Sequence, residues 1–318
     1  GSASLGEGVG AEAWRVVGKT FTPMPRAADV VLLPSGRQLV AGMELGSNLL
    51  FRFDAESGQL LETRHTRESN PQCLVRVRGD ILLVQDKGRT PEVCTLSPAE
   101  LKQEGTLALP DFRLYRVASA ATSQDGRYLW LSSCYTMSSL YGHVNSALFR
   151  VDLREGKCSL VRGPSREPVA DRHVPNLALP LPSENNWLVS STVAGEILVA
   201  DIHTNRLLVF VGDSLEPAKT IETPFIPAVM PRECSRILPV AASEQIALVD
   251  LDAAKVTHTI NHKGNPLSTC VSSDGRRAFI SLSGSNDVLQ IDLLTGGLLP
   301  SIDFSRTGGR RDFRDSSR

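Results

Sequence analysis

Along almost the whole chain, apolar and polar positions alternate in runs of four to six residues, broken by clusters of Gly, Asp, Asn and Ser. A period of two predicts short half-buried strands, and no stretch sustains the period of an amphipathic helix. The last third states the unit most clearly. The turn Ser273-Asp274-Gly275-Arg276-Arg277 leads into the apolar run Ala278-Phe279-Ile280-Ser281, and after a polar turn comes Val288-Leu289-Gln290-Ile291-Asp292, an alternating strand closed by Asp.

Upstream the unit recurs. Pro34-Ser35-Gly36-Arg37 precedes a strand and then Leu50-Phe51-Arg52-Phe53-Asp54; Gln124-Asp125-Gly126-Arg127 precedes Tyr128 to Ser132 and later Leu148 to Asp152. Glu184-Asn185-Asn186 precedes Trp187 to Ser190 and Ile197 to Asp201; Ser235-Arg236 precedes Ile237 to Val240 and Ile246 to Asp250. A weaker copy runs from Gly79-Asp80 to Leu96, with Ser97 in place of the Asp. The closing positions 54, 97, 152, 201, 250 and 292 lie 43, 55, 49, 49 and 42 residues apart, close to the ~40–50 of a four-stranded propeller blade. One such sheet is too small to cover both its faces, whereas neighbours stacked around a ring cover them for one another.

The expected fold is therefore all-β, a single β-propeller of four-stranded antiparallel blades over residues 12–304. Six repeats are legible, and seven are possible with a degenerate or donated blade. Residues 11–22, centred on Trp14-Arg15-Val16-Val17, are expected to add a strand that closes the ring against the last blade. The copies resemble the YVTN-type repeats of bacterial and archaeal propellers, through Ser273-Asp274-Gly275 and Leu289-Gln290-Ile291-Asp292, and they resemble WD-repeat propellers without the Trp-Asp dipeptide.

With 34 basic and 35 acidic residues the chain is near neutral, which argues against a global nucleic-acid or membrane-surface binder. No apolar run approaches the ~20 residues of a bilayer span. Gly1-Ser2-Ala3-Ser4 reads as a tag remnant, so residues 1–11 are assigned to tag and flexible N-terminus, with a removed signal peptide left open. Residues 305–318 hold five arginines against two aspartates and read as a disordered basic tail, the one segment where nucleic acid is considered. The six cysteines form no C-x-x-C pair and sit mostly in apolar runs. They are expected to be lone core thiols, which favours a reducing, cytoplasmic or nuclear setting.

In a blade with strands A to D, alternation places the D–A and B–C loops at one end of the ring. The D–A loops bring Arg26, Arg113, Arg116, Arg172, His173 and Lys263 there, and the long B–C insertion Ser133–Ser146 brings Tyr135, Tyr141 and His143. A basic rim with tyrosines suits an acidic or phosphorylated peptide, through forked charge-assisted bonds. The competing reading is a scattered set of solvated arginines. The six histidines share no ligand spacing, and nucleophile elbow, P-loop and dinucleotide fingerprints do not occur, so no metal or cofactor is assigned. The aspartates at 54, 152, 201, 250 and 292 recur at one repeat position, which assigns them to turns. The expected function is a non-catalytic protein–protein interaction scaffold within a larger complex. The alternative is a lactonase-like or metal-dependent hydrolase using the central channel, an activity some propellers carry.

Overall fold

The protein is described from a computed structural model. Its described residues are 27–32, 38–43, 49–54, 57, 59–66, 69–77, 80–87, 90–97, 101–108, 116–136, 144–162, 187–201, 204–283, 285 and 287–303. Among them every regular element is a strand. The termini, including the expected closing strand at 11–22 and the basic tail, lie outside the described residues.

The strands form successive antiparallel sheets in chain order. Sheet one holds β1 (Ala27–Leu32), β2 (Gln38–Met43), β3 (Leu49–Asp54) and β4 (Leu60–His65). Sheet two holds β5 (Ser69–Val77), β6 (Asp80–Lys87), β7 (Thr90–Leu96) and β8 (Gln103–Ala108). Sheet three holds β9 (Arg116–Thr122), β10 (Tyr128–Thr136), β11 (Val144–Asp152) and β12 (Lys157–Arg162). Sheet four holds β13 (Leu188–Thr192), β14 (Ile197–Asp201), β15 (Arg206–Phe210) and β16 (Lys219–Glu222), and is joined by β17 (Glu233–Cys234). Sheet five is β18 (Ile237–Ala242), β19 (Gln245–Asp250) and β20 (Lys255–Asn261); sheet six is β21 (Pro266–Val271), β22 (Arg277–Leu282), β23 (Asp287–Asp292) and β24 (Leu298–Asp303).

Alternation along a strand decides which neighbour each side chain meets. In β6, Ile81 and Leu83 face sheet one with Leu50, while Leu82 and Val84 face sheet three with Leu129 and Leu131. In β19, Ile246 and Leu248 meet Ile280 and Ile291 of sheet six, and Ala247 and Val249 meet Leu207 and Val209 of sheet four. The core of the described residues is thus a series of apolar layers between consecutive sheets, and sheets two to five are apolar on both faces. Aromatic bulk is concentrated between sheets three and four, where Trp130 and Phe210 meet with ring centroids 4.8 Å apart.

The inner strands follow one another, β1 beside β5, β5 beside β9 and β9 beside β13. Sheet four departs from the repeat read in the sequence. Its signature pair is β13 and β14, and β13 is itself the strand lying against β9, with Val189 N–H donating to Ser119 Oγ at 2.7 Å. The edge of β13 away from β14 is covered by β17, which runs parallel to it. The last sheet is four-stranded from its own sequence, residues 266–303.

Candidate functional site

At the end of the sheets where the D–A and B–C connections emerge, two neighbouring sheets reach further than the others. Counted from the closing aspartate, the β10–β11 ladder runs from Tyr128↔Asp152 to Thr136↔Val144, and each strand has 9 residues. The corresponding ladder of sheet five runs from Ile237↔Asp250 to Ala242↔Gln245, with 6 residues a strand. Three extra residues at the rise of a strand carry this hairpin about 10 Å further. In sheet two the β6–β7 ladder likewise continues to Lys87↔Thr90, and β5 keeps pace with Ser69↔Lys87. These overhanging ladders form a ledge on one face.

Two of the predicted rim residues lie in the ledge, as strand positions where loops were expected. Arg116 opens β9 and pairs with Cys134, and Tyr135 belongs to β10 and pairs with Asn145. Within the insertion read as a loop from Ser133 to Ser146, residues 133–136 and 144–146 are strand and extend an existing ladder, while 137–143 lie outside the described residues. Lys263 is exposed in the turn between β20 and β21. Arg26, Arg113, Arg172, His173, Tyr141 and His143 lie outside the described residues.

The centre carries charge that sequence reasoning missed. From the segment leading into β17, Arg232 Nη1–H donates to the carbonyl of Leu74 in β5, an inner strand of a different part of the ring. The next residue, Glu233, meets Arg76 of β5 at 3.5 Å. The Arg232 side chain keeps contact with solvent yet is surrounded by protein, and that desolvation pulls its pKa down to about 10. The missed signal was Pro231-Arg232-Glu233, which precedes a repeat strand and therefore falls on an inner strand.

The recurrent aspartates are committed to turns. Asp152 Oδ1 accepts the N–H groups of Arg154 and Glu155 at 2.9 and 3.0 Å. Asp250 Oδ1 accepts those of Asp252 and Ala253 at 3.0 and 2.9 Å, and Asp292 Oδ1 those of Leu294 and Thr295 at 2.9 Å each. Asp54 binds Ser57, and Asp201 binds Thr204. The arginine before the second strand adds an ion pair, Arg127 to Asp152 and Arg236 to Asp250, each at 2.9 Å. Among the described residues no three His, Cys, Asp or Glu side chains converge as metal ligands would. Cys73, Cys94 and Cys234 are buried free thiols, and burial pushes Cys73 and Cys234 up to about 12. Cys270 departs from the core expectation and is exposed on β21.

No protein-family model and no curated protein matches this chain. Among solved structures it is similar to a dihydro-heme d1 dehydrogenase, NirN, in complex with DHE, with a TM-score of 0.52 and 15% identity. The likeness covers 86% of this chain and 56% of that one, so the chain spans little more than half of that protein. In all, 1313 solved chains resemble it, and a likeness so widely shared carries architecture rather than activity. With the successive four-stranded antiparallel sheets, it shows that the chain has a β-propeller fold.

Proposed function

We propose that this chain is a non-catalytic interaction module, a single six-bladed propeller of the kind its YVTN- and WD-like repeats resemble. It receives an acidic or phosphorylated peptide of a protein partner on the face that carries the ledge. The observation that carries this reading is the overhang of β10–β11 and of β5–β7 on that one face. Raised hairpins beside a channel mouth give a peptide walls to lie against. Arg116 at the start of β9 and Lys263 in the turn before β21 supply cations suited to carboxylates and phosphates, and the repeat alignment of the sequence assigns Arg26, Arg113 and Arg172 to the same set. Support also comes from the repeated carboxylates, whose oxygens are bound within turns.

Affinity capture from a native extract tests it, using the whole chain and two variants. One replaces residues 134–146 by Asn-Gly, a turn that closes the hairpin at the Ser133↔Ala147 pair and removes the overhang. The other carries Arg26→Glu, Arg113→Glu, Arg172→Glu and Lys263→Glu. A defined set of proteins should be recovered by wild type and lost, with folding intact, in both variants. Recovery of the same set by both variants would remove the face from consideration. Stoichiometric zinc or calcium in the purified chain would move the reading to the channel hydrolase.

A further inference from the structure

The inner strand of sheet five is divided between two sheets. It begins beside β18, where Ala228 and Val229 N–H donate to Ala241 O at 2.8 and 3.1 Å and Val229 O accepts from Ala241 N–H at 3.2 Å. Three residues later it has crossed to sheet four. There Ser191 and Val193 of the neighbouring hairpin donate N–H to Arg232 O and Cys234 O at 2.9 and 3.0 Å. The chain thus holds each sheet by only a few backbone bonds, while a full inner strand such as β21 is paired with its own sheet from Pro266 to Val271. Segments with few cooperative bonds open first.

What compensates is contact across the centre. Arg232 binds the Leu74 carbonyl and Glu233 binds Arg76, both on β5 of sheet two. A charged donor on a carbonyl in enclosed surroundings is among the stronger hydrogen bonds a protein makes. The Arg76–Glu233 pair is about half exposed on both sides, at 46% and 49%, so dissolved salt reaches it.

We propose that residues 228–234 are an axial strap, a strand pinned across the propeller centre by Arg232 and Glu233, whose release opens the centre without unfolding the sheets. The pinning closes the channel at the level of Leu74 and couples sheet two to sheets four and five. Arg232 is the main pin, and the exposed ion pair is the pin that ionic strength loosens.

Amide hydrogen exchange on the whole chain tests this, read in peptides covering 226–236, 73–77, β10–β11 and β22–β23. Arg232→Met should speed exchange about tenfold or more in the first two regions together and leave the last two unchanged. Arg232→Lys, which keeps a donor and a charge, should recover part of the protection. In wild type, high salt should speed exchange in 226–236, and Glu233→Gln should already show that faster rate and lose the salt response. Unchanged exchange in the first two regions on Arg232→Met, or an equal rise in all four, would overturn the strap. Should Arg232→Met fail to fold, a salt response identical in wild type and Glu233→Gln would overturn it as well.

Discussion

Asp250 shows what the recurring aspartate does. Its carboxylate accepts two turn N–H groups and a guanidinium, and the Arg236 bond followed by the Ala253 N–H holds it below the usual carboxylate range. Asp274 is lowered in the same way, first by the Ser272 hydroxyl and then by the Arg276 N–H. A carboxylate lowered by folding contributes stability that is complete above its unfolded-state value, near 4, and is lost as pH falls through the lowered folded value. Unfolding midpoints should therefore drop steeply on the acid side of about pH 4. Asp250→Asn should flatten that acid limb, and equal slopes for variant and wild type would show that the turn carboxylate carries none of it. Gly275 marks the other half of the unit. Its φ is +69°, and a Cβ there would stand 2.6 Å from Ser235 Oγ of the adjoining sheet. Gly275→Ala should cost about 1–2 kcal/mol or more in chemical denaturation, whereas Gly105→Ala, with nothing within 4 Å, should be close to neutral. These residue roles were legible in the sequence, because each repeats at one position of the unit and a turn needs that residue type locally.

At the scale of elements, strands announce themselves when both their faces are buried by the repeat. Tyr128 to Leu131 was readable as a second strand because its alternation serves two apolar layers at once, and Ala278 to Ile280 because its alternate residues enter the layer shared with sheet five. Trp130 fills the layer between sheets three and four and is 1% exposed, so Trp130→Ala should cost about 3–5 kcal/mol in urea unfolding. A cost under about 1 kcal/mol would mean that the two sheets do not share that layer. Two elements were not readable. The divided strand ending in β17 carries the short sequence Glu233-Cys234, and which neighbour a strand pairs with is a tertiary choice absent from its own alternation. The placement of β13 against β9 is of the same kind, set by Ser119 reaching the backbone of Val189 rather than by the Trp187–Ser190 pattern. The overhang of β10–β11 reads as a loop in the sequence for a simpler reason, since the polar residues Ser132, Ser133, Tyr135 and Thr136 fall at both odd and even positions and erase the apolar alternation that marks a strand.

For the whole molecule, stacking alternation explains why a chain with a single period-two signal folds as a propeller, each sheet needing both neighbours. It also explains why function was less legible than fold. In the proposed function, partner recognition is set by which strand ends and loops meet at one end of the ring, and that end is assembled from residues tens of positions apart. Arg116 and Tyr135 come together there through the β9–β10 pairing at Cys134, while the charge at the centre came from Arg232, marked in the sequence only by its place ahead of a repeat strand. As proposed, a partner contacts the ledge face and a closed strap lies at the centre. The measurement that tests this arrangement most directly is the hydrogen-exchange footprint of a captured partner on the intact chain. Protection should fall on the overhanging ends of β5–β7 and β10–β11 and on the Lys263 turn. Protection confined to the outer strands β4, β12 and β24, or to the turns closed by Asp152, Asp250 and Asp292 at the opposite end, would contradict it.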